Sequence, residues 1–313
     1  MIRAGGLELD NNLCLAPLAG VTLLTVREFF TQMGAALTHT EMISCSGLIR
    51  DNAKTLDMLR VASHEGPLIV QLFAPDEKIL FAGALKVLEN CEKFSGLGIN
   101  MACPMPKITK NGAGSALMRR PEIASKMVKC LKDLNFPVWV KTRKFDDDNE
   151  TLKFAELLIN SGADNICIHG RTPSQRYEGI ADRNIISLAA KNFPGYISAS
   201  GDVKNISDID EYLHMGCVMV MLARGAFANP CLFEEFRGIY RTQSEKLDAL
   251  IKFAYRTRDL LNEHKAIVLM KRFAGSMIKF KNGSAALRQQ AMLSNSLDEL
   301  INILRLGGMN NNE

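Results

Sequence analysis

Residues 99–118 read INMACPMPKITKNGAGSALM. An apolar run ends in Asn100, and one cysteine, Cys103, follows between Ala102 and Pro104. Pro104 and Pro106 stiffen the chain around that thiol, and Gly112 and Gly114 let the loop fold back over it. A thiol placed there is suited to act as a nucleophile, or as a proton donor while it stays protonated. Further along, VWVKTR ends with Lys141 and Arg143, and NICIHGRT places His169 and Arg171 after another apolar run. Lys141 offers a fixed positive charge to an anionic ring or a phosphate. Gly201 in SGDV and Gly225 in ARGAF sit in turns where backbone N–H groups can approach a phosphate closely.

Other chemistries find little support. GLGINM breaks the G-x-G-x-x-G pattern at Met101, which argues against a dinucleotide-binding turn. No H-E-x-x-H or carboxylate triad suggests a metal, and the three aspartates at 146–148 read as a solvated loop.

Elements must carry these residues to one place. Eight short apolar runs recur between turn signals: LCLAPL, ALTHTEM, LIVQLF, GLGINM, VWVKTR, NICIHG, YISASG and VMVMLAR. Helical stretches lie between them. In NETLKFAELLINSG, for example, Leu152, Phe154, Ala155, Leu158 and Ile159 fall near one face and Gly162 ends the helix. The spacing predicts eight βα units, an α/β fold closed as a (β/α)₈ TIM barrel, with an open doubly wound sheet as the alternative. Polar residues end nearly every run: Glu41, Gln71, Asn100, Lys141, Arg143, His169, Asp202 and Arg224. A barrel brings all those ends to one mouth, whereas an open sheet would spread them along an edge. The barrel is expected over 1–236. From 242 onward only helical patterns remain, so a C-terminal all-helical domain is expected over 242–313, its last helix opening on a capping box of Ser296 and Glu299.

Composition bounds the rest. The 313 residues are 47% hydrophobic and carry 38 basic against 34 acidic side chains, a net charge of +4 that excludes neither nucleic acid nor small molecules as partners. The eight cysteines show no C-x-x-C spacing, which suits reduced, mostly buried thiols in a cytoplasmic protein. No apolar stretch is long enough to span a membrane, and no obligate protein partner is evident.

The segments LAPLAGVT, EMIS, VQLF, NMACPMPKITKNGAGSALM, VKTR, HGRT, SGDV and ARGAFANP, in this order, resemble the tRNA-dihydrouridine synthases, with the nearest likeness to their bacterial B type. The resemblance implies a barrel holding FMN, a helical domain that recognises RNA, and NADPH as reductant. It implies hydride transfer to C6 of a uracil in tRNA, with Cys103 as the acid that protonates C5. A thiol's reference pKa of about 8.5 leaves it protonated at neutral pH yet able to give up the proton. The same reaction on ribosomal RNA, or reduction of a small molecule, are the alternatives.

Carried over by position, the resemblance implies that Ala16, Pro17 and Leu18 line the flavin and that Gln71 bonds its ring edge. Lys141 would stabilise the reduced anion, and His169 would touch the ring or the ribityl phosphate. Ser200, Gly201 and Asp202, with Ala223, Arg224 and Gly225, would hold the phosphate. Asn100 would orient the uracil, while Lys107, Arg143 and Arg171 would help to hold substrate. Three positions depart from the family's habit: Ala102 and Ala223 stand where glycine is usual, and Ser200 where asparagine is common. In the tail, Lys265, Arg272 and Lys279 fall seven apart on one helical face, flanked by Lys271, a stripe suited to a phosphate backbone.

Overall fold

The computed structural model describes residues 1–278 and 284–309. Chain contacts divide it into two units, Met1–Ala223 and Arg224–Glu313.

The first unit is a barrel. It opens with a hairpin of β1 (Ile2–Ala4) and β2 (Leu7–Leu9), which sequence reasoning had not singled out. Gly5 and Gly6 make its turn with φ of 53° and 77°, a conformation that side chains with a Cβ resist. Gly5 is held for a second reason: an added Cβ would stand 2.5 Å from the Trp139 ring, and the Trp139 indole donates to the Gly5 carbonyl at 3.0 Å. Ala4 and Leu9 pack with Cys14, Leu37, Ile69, Trp139, Cys167 and Met219, so the hairpin closes the N-terminal end of the barrel.

All eight expected runs form strands: β3 (Leu13–Leu15), β4 (Thr38–His39), β6 (Leu68–Phe73), β7 (Gly96–Met101), β8 (Val138–Arg143), β9 (Asn165–His169), β10 (Ile197–Ser200) and β11 (Met219–Leu222). A two-residue β5 (Ile43–Ser44) adds to the end of β6. The strands pair in parallel in the order β3-β11-β10-β9-β8-β7-β6-β4, and a bridge between Cys14 and Leu37 brings β4 back to β3. Helices lie between the strands as their sequence period requires. In Asp148–Asn160 the buried side chains are Thr151, Phe154, Ala155 and Leu158, and Gly162 follows with φ 104°. The acidic run at 146–148 has local work. Asp147 caps this helix by accepting from the Asn149 N–H at 2.8 Å, and Asp148 pairs with Lys144 at 3.2 Å.

The seam between β3 and β4 is the barrel's sparsest ladder. Leu15 N–H donates to Leu37 at 2.9 Å, and Ala36 N–H to Leu13 at 3.1 Å. The next rung is made by a side chain: His39 Nδ1 donates to the Leu15 carbonyl at 2.9 Å. A carbonyl only accepts, so the proton resides on Nδ1. Burial lowers the imidazole's pKa from 6.5 to about 4, against the opposing pull of the Leu15 carbonyl and with a smaller push from Lys141.

The second unit is helical, with longer helices at Gln243–Leu260, Glu263–Met277, Ser284–Leu293 and Leu297–Met309. Thr242 and Glu245 form a full capping box ahead of the first. The box expected at Ser296 forms in part: the Ser296 hydroxyl accepts from Glu299 N–H at 3.2 Å, while the Glu299 carboxylate takes the Asn295 N–H. Phe273 packs edge-on to Phe253 at 5.6 Å, amid buried Leu250, Ala254, Leu269, Leu300 and Leu304. No helix among the described residues is long and apolar enough to cross a membrane.

His39 makes acid stability testable. Its pKa is depressed in the fold, so its contribution is present above pH 6.5 and is lost as pH falls through about 4. That loss amounts to about 3 kcal/mol, each pKa unit being worth about 1.4 kcal/mol. His39→Asn keeps a donor near the Nδ1 position and cannot titrate. Urea denaturation at pH 7 and pH 3.5 should show the pH-dependent loss shrinking by about 3 kcal/mol in the variant.

Candidate active site

Side chains alternate along a strand, so the faces pointing into the barrel follow from its core. Cys14 and Ala16, Ile69, Trp139, Cys167, Met219 and Met221 pack inside. By parity the same interior face carries Gln71, Lys141, Arg143 and His169, one or two steps nearer the C-terminal ends. Asn100 is the direct cross-strand partner of Lys141, and Arg143 of His169. The barrel thus brings the expected mouth residues of β6 to β10 together.

Lys141 stands half-buried at the centre of this set. Its ammonium donates to the Ser200 hydroxyl at 3.2 Å. No carboxylate among the described residues lies within ion-pair reach of it. Burial pushes its pKa below the usual lysine range, Arg143 adds to the depression, and the thiols of Cys167 and Cys14 oppose it. A cation in such a place gains from any anionic group entering the mouth.

Gln71 and Asn100 form a polarised pair. The Asn100 Oδ1 accepts the backbone N–H groups of Ala102 at 3.3 Å and Cys103 at 3.0 Å. Its amide nitrogen therefore donates, to Gln71 Oε1 at 2.9 Å. That fixes the Gln71 amide as well, leaving its NH₂ as the group that can serve a ligand. Asn100, expected on the substrate, is thus bonded to the loop that carries the thiol.

Cys103 itself is half-buried, in contrast to six of the eight cysteines, which are buried. The N–H groups of residues 102 and 103 are held by Asn100, and the Cys103 carbonyl accepts from Ser115 N–H at 2.9 Å. Gly114 makes that return possible: its φ is 62°, and an added Cβ would stand 2.6 Å from the Cys103 carbonyl oxygen. Ala102 sits outside the left-handed region, so the residue that departs from the family's glycine carries no backbone strain. Lys107 is exposed on the short helix Pro106–Thr109 of the same loop.

The two arginines are buried, each 2% exposed, and turned to protein partners. Arg143 donates to the carbonyls of Ala102 at 2.9 Å, Thr172 at 3.1 Å and Arg176 at 2.7 Å. Arg171 donates to the carbonyls of Glu178 at 3.0 Å and Gly179 at 2.6 Å, and pairs with Asp202 at 2.6 Å. A further Arg171 N–H reaches His169 Nε2 at 3.3 Å, which makes Nε2 the acceptor and puts the ring proton on Nδ1. Asp202 also accepts from Ala181 N–H at 2.8 Å, and its own φ is 51°. Gly201, at φ 122°, would bring a Cβ within 2.9 Å of the His169 ring. The turn after β10 therefore lies directly against that imidazole.

Ala16 is buried and its N–H donates to Leu222 at 2.8 Å, while Pro17 and Leu18 are half-buried beyond it. Thr22 holds the Leu18 N–H at 3.1 Å, and the Glu41 carboxylate takes the Gly20 N–H. Ala223 packs partly against the interior core. Arg224 and Gly225 begin the helix Arg224–Ala228 of the second unit, Arg224 exposed and Gly225 buried. In that unit Lys265 and Arg272 are exposed, whereas Lys271 donates to the Ser294 carbonyl at 2.8 Å. Lys279 lies outside the described residues. Among the described residues no group of histidine, cysteine and carboxylate side chains is placed to hold a metal.

His39 and the holding role of Glu41 were missed in the sequence. The alternation in LTHTEM was the available signal, since it puts Leu37, His39 and Glu41 on one face.

Residues 14–306 match the family described as dihydrouridine synthase. The chain is similar to a "Probable tRNA-dihydrouridine synthase" of Treponema pallidum, 31% identical over 97% of this chain and 95% of that one. It is also similar to "tRNA-dihydrouridine synthase B" of Vibrio cholerae, 32% identical over 75% of this chain and 74% of that one. Among solved structures, morphinone reductase in complex with tetrahydroNAD shares the fold at a TM-score of 0.57 and 13% identity, covering 75% of this chain and 89% of that one. TcOYE with pHBA shares it at 0.59 and 12% identity, covering 76% and 91%.

The Asn100 network sets a stability test. Asn100→Ala strips the acceptor from two backbone N–H groups beside the thiol, and should cost about 1–3 kcal/mol in urea denaturation. Asn100→Asp keeps that acceptor and should recover most of the loss.

Proposed function

This chain belongs to the dihydrouridine synthase family, and from that premise we propose that it reduces uridines of tRNA to 5,6-dihydrouridine, with FMN in the barrel mouth and NADPH as reductant. One observation carries the reading. Lys141 is a half-buried ammonium with a hydroxyl for a partner and no carboxylate in reach among the described residues, on the strand beside the one that leads into the Cys103 loop.

The donors around it fit an anionic, phosphate-bearing ring system. Lys141 supplies a charge, Gln71 an NH₂ oriented by Asn100, and His169 an N–H fixed by Arg171. Ala16, Pro17 and Leu18 would line the ring with backbone. Ser200 and Gly201 would take the phosphate side with Ala223, Arg224 and Gly225. Asp202 would act through the turn it forms, since its carboxylate is already bonded to Arg171 and Ala181. Bound there, the flavin supplies a hydride for C6 of the uracil, its electrons coming from NADPH.

The chain's own groups supply the rest. Negative charge that develops on C5 and O4 of the uracil needs a proton, and Cys103 is the acid that gives it to C5. Its backbone is tied on both sides, so the thiol is held in place before the base arrives. The base must leave its stack to reach the mouth, at a cost of a few kcal/mol. Lys107 on the thiol loop, and Lys265 and Arg272 on the helical unit, would offset that cost by attracting phosphates. Arg143 and Arg171 serve the site through the loops they hold. Within the family we assign the chain to the bacterial B type, on the wording of its motifs and the Vibrio relative of that name.

Cys103→Ala should keep the yellow flavin and NADPH oxidation but lose about 10²-fold or more in uracil reduction, the scale of a missing general acid. Lys141→Ala should instead weaken flavin binding or its reduction. Unchanged uracil turnover in both variants would remove these roles. Mapping dihydrouridine at nucleotide resolution with and without this gene tests the substrate, and loss from ribosomal RNA alone would move the assignment there. Lys265→Ala and Arg272→Ala should each lower the slope of log K against log salt for tRNA by about 1, measured by filter binding.

A further inference from the structure

Arg143 joins two loops that are separate in sequence. From β8 its Nε donates to the carbonyl of Ala102, the residue before Cys103, at 2.9 Å. One terminal nitrogen donates to Thr172 at 3.1 Å and Arg176 at 2.7 Å, both in the loop after β9. Arg176 is one of four residues other than glycine with positive φ, 49°, among the described residues. That twist costs of order 1 kcal/mol or more, and the bond from Arg143 to its carbonyl helps to offset it. The following residue, Tyr177, covers the guanidinium at 5.6 Å from its ring centroid. Tyr177 is nonetheless 59% exposed, and Ile180 nearby is 82% exposed.

The position of the bonds matters more than their number. Asn100 takes the N–H groups of residues 102 and 103, and Arg143 takes the Ala102 carbonyl between them. The peptide joining Ala102 to Cys103 is therefore fixed at both its oxygen and its nitrogen. Lysine could not reproduce this, because its ammonium lacks the planar fork that reaches three carbonyls in two loops. All three bonds run to backbone, so they ask nothing of the neighbouring side chains. The guanidinium has little accessible surface left with which to meet an incoming base or phosphate.

We propose that Arg143 is a positioning residue for the protonation step, linking the thiol loop 102–115 to the loop 172–180 so that the second loop sets the orientation of Cys103. The inference rests on the uridine-reducing function proposed above, but its structural half does not. A substrate that presses on the exposed ring of Tyr177 acts, through the guanidinium and the Ala102 carbonyl, on the peptide that carries the thiol. Arg143 thus acts on the rate of the step and not on the affinity for RNA.

The test uses the flavin-loaded full chain and the variants Arg143→Lys and Arg143→Met. Amide hydrogen exchange is read first, with no RNA present. Both segments, 100–105 and 172–179, should exchange at least 10-fold faster in the variants, with flavin content retained. Exchange that rises in only one segment, or in neither, overturns the link. Single-turnover oxidation of the reduced protein by unmodified tRNA is read second. The rate at saturating tRNA should fall at least 10-fold while the Kd for tRNA stays within twofold. A raised Kd with an unchanged saturating rate would make Arg143 a substrate-binding residue and overturn the proposal. If Arg143→Met fails to fold, Arg143→Lys carries both readings. A wild-type protein that reduces no uridine overturns the proposed function, and the exchange experiment still decides the link.

Discussion

An ammonium inside a barrel governs the site. Water would solvate Lys141 fully; in the barrel end its hydrogen-bond partner among the described residues is the Ser200 hydroxyl, and burial depresses its pKa. Such a charge stays open to an anionic guest only where no carboxylate neutralises it, and among the described residues none lies within ion-pair reach. Gln71, Asn100, His169 and Ser200 are all neutral, and each is oriented by a bond to a neighbour. The nearby carboxylate of Asp202 is committed to Arg171. The arrangement selects against cations and for an anionic, hydrogen-bond-accepting guest.

Around that charge the loops are tied through their backbone N–H and carbonyl groups. Asn100, Arg143 and Ser115 hold the Cys103 loop, Arg171 holds 178–179, and Glu41 and Thr22 hold 18–20. Side chains that sequence alone places on a ligand are here engaged in shaping the mouth. The division of labour is chemical. Guanidinium groups, with five donors in a fixed fork, bind carbonyls of several loops at once, whereas the single ammonium stays available.

Much of this was legible beforehand because the pattern is simple. Eight apolar runs at βα spacing favoured the barrel over an open sheet, and the polar residues that close the runs put Gln71, Asn100, Lys141 and His169 at the C-terminal ends of their strands. The hydrogen-bond partners of those residues were not legible. Whether Arg143 meets a substrate or the Ala102 carbonyl depends on the path of loops whose sequences, such as TPSQRYEG, carry no strong pattern. The seam was hidden for a related reason. His39 replaces a backbone rung only because β4 is two residues long, and strand length is weakly encoded where a run mixes threonine, histidine and glutamate. In the tail, Lys271 reads as part of a basic stripe, yet it serves the Ser294 carbonyl inside its own unit.

The small hairpin at the start of the chain bears on how this protein is handled. The family match begins at residue 14, beyond both hairpin strands, so a fragment trimmed to the aligned region would lose its floor. Ala4 and Leu9 would no longer cover Cys14, Trp139 and Met219, and water would reach the layer beneath Lys141. Wetting that layer would ease the burial that depresses the lysine, and the electrostatics of the opposite rim would relax with it.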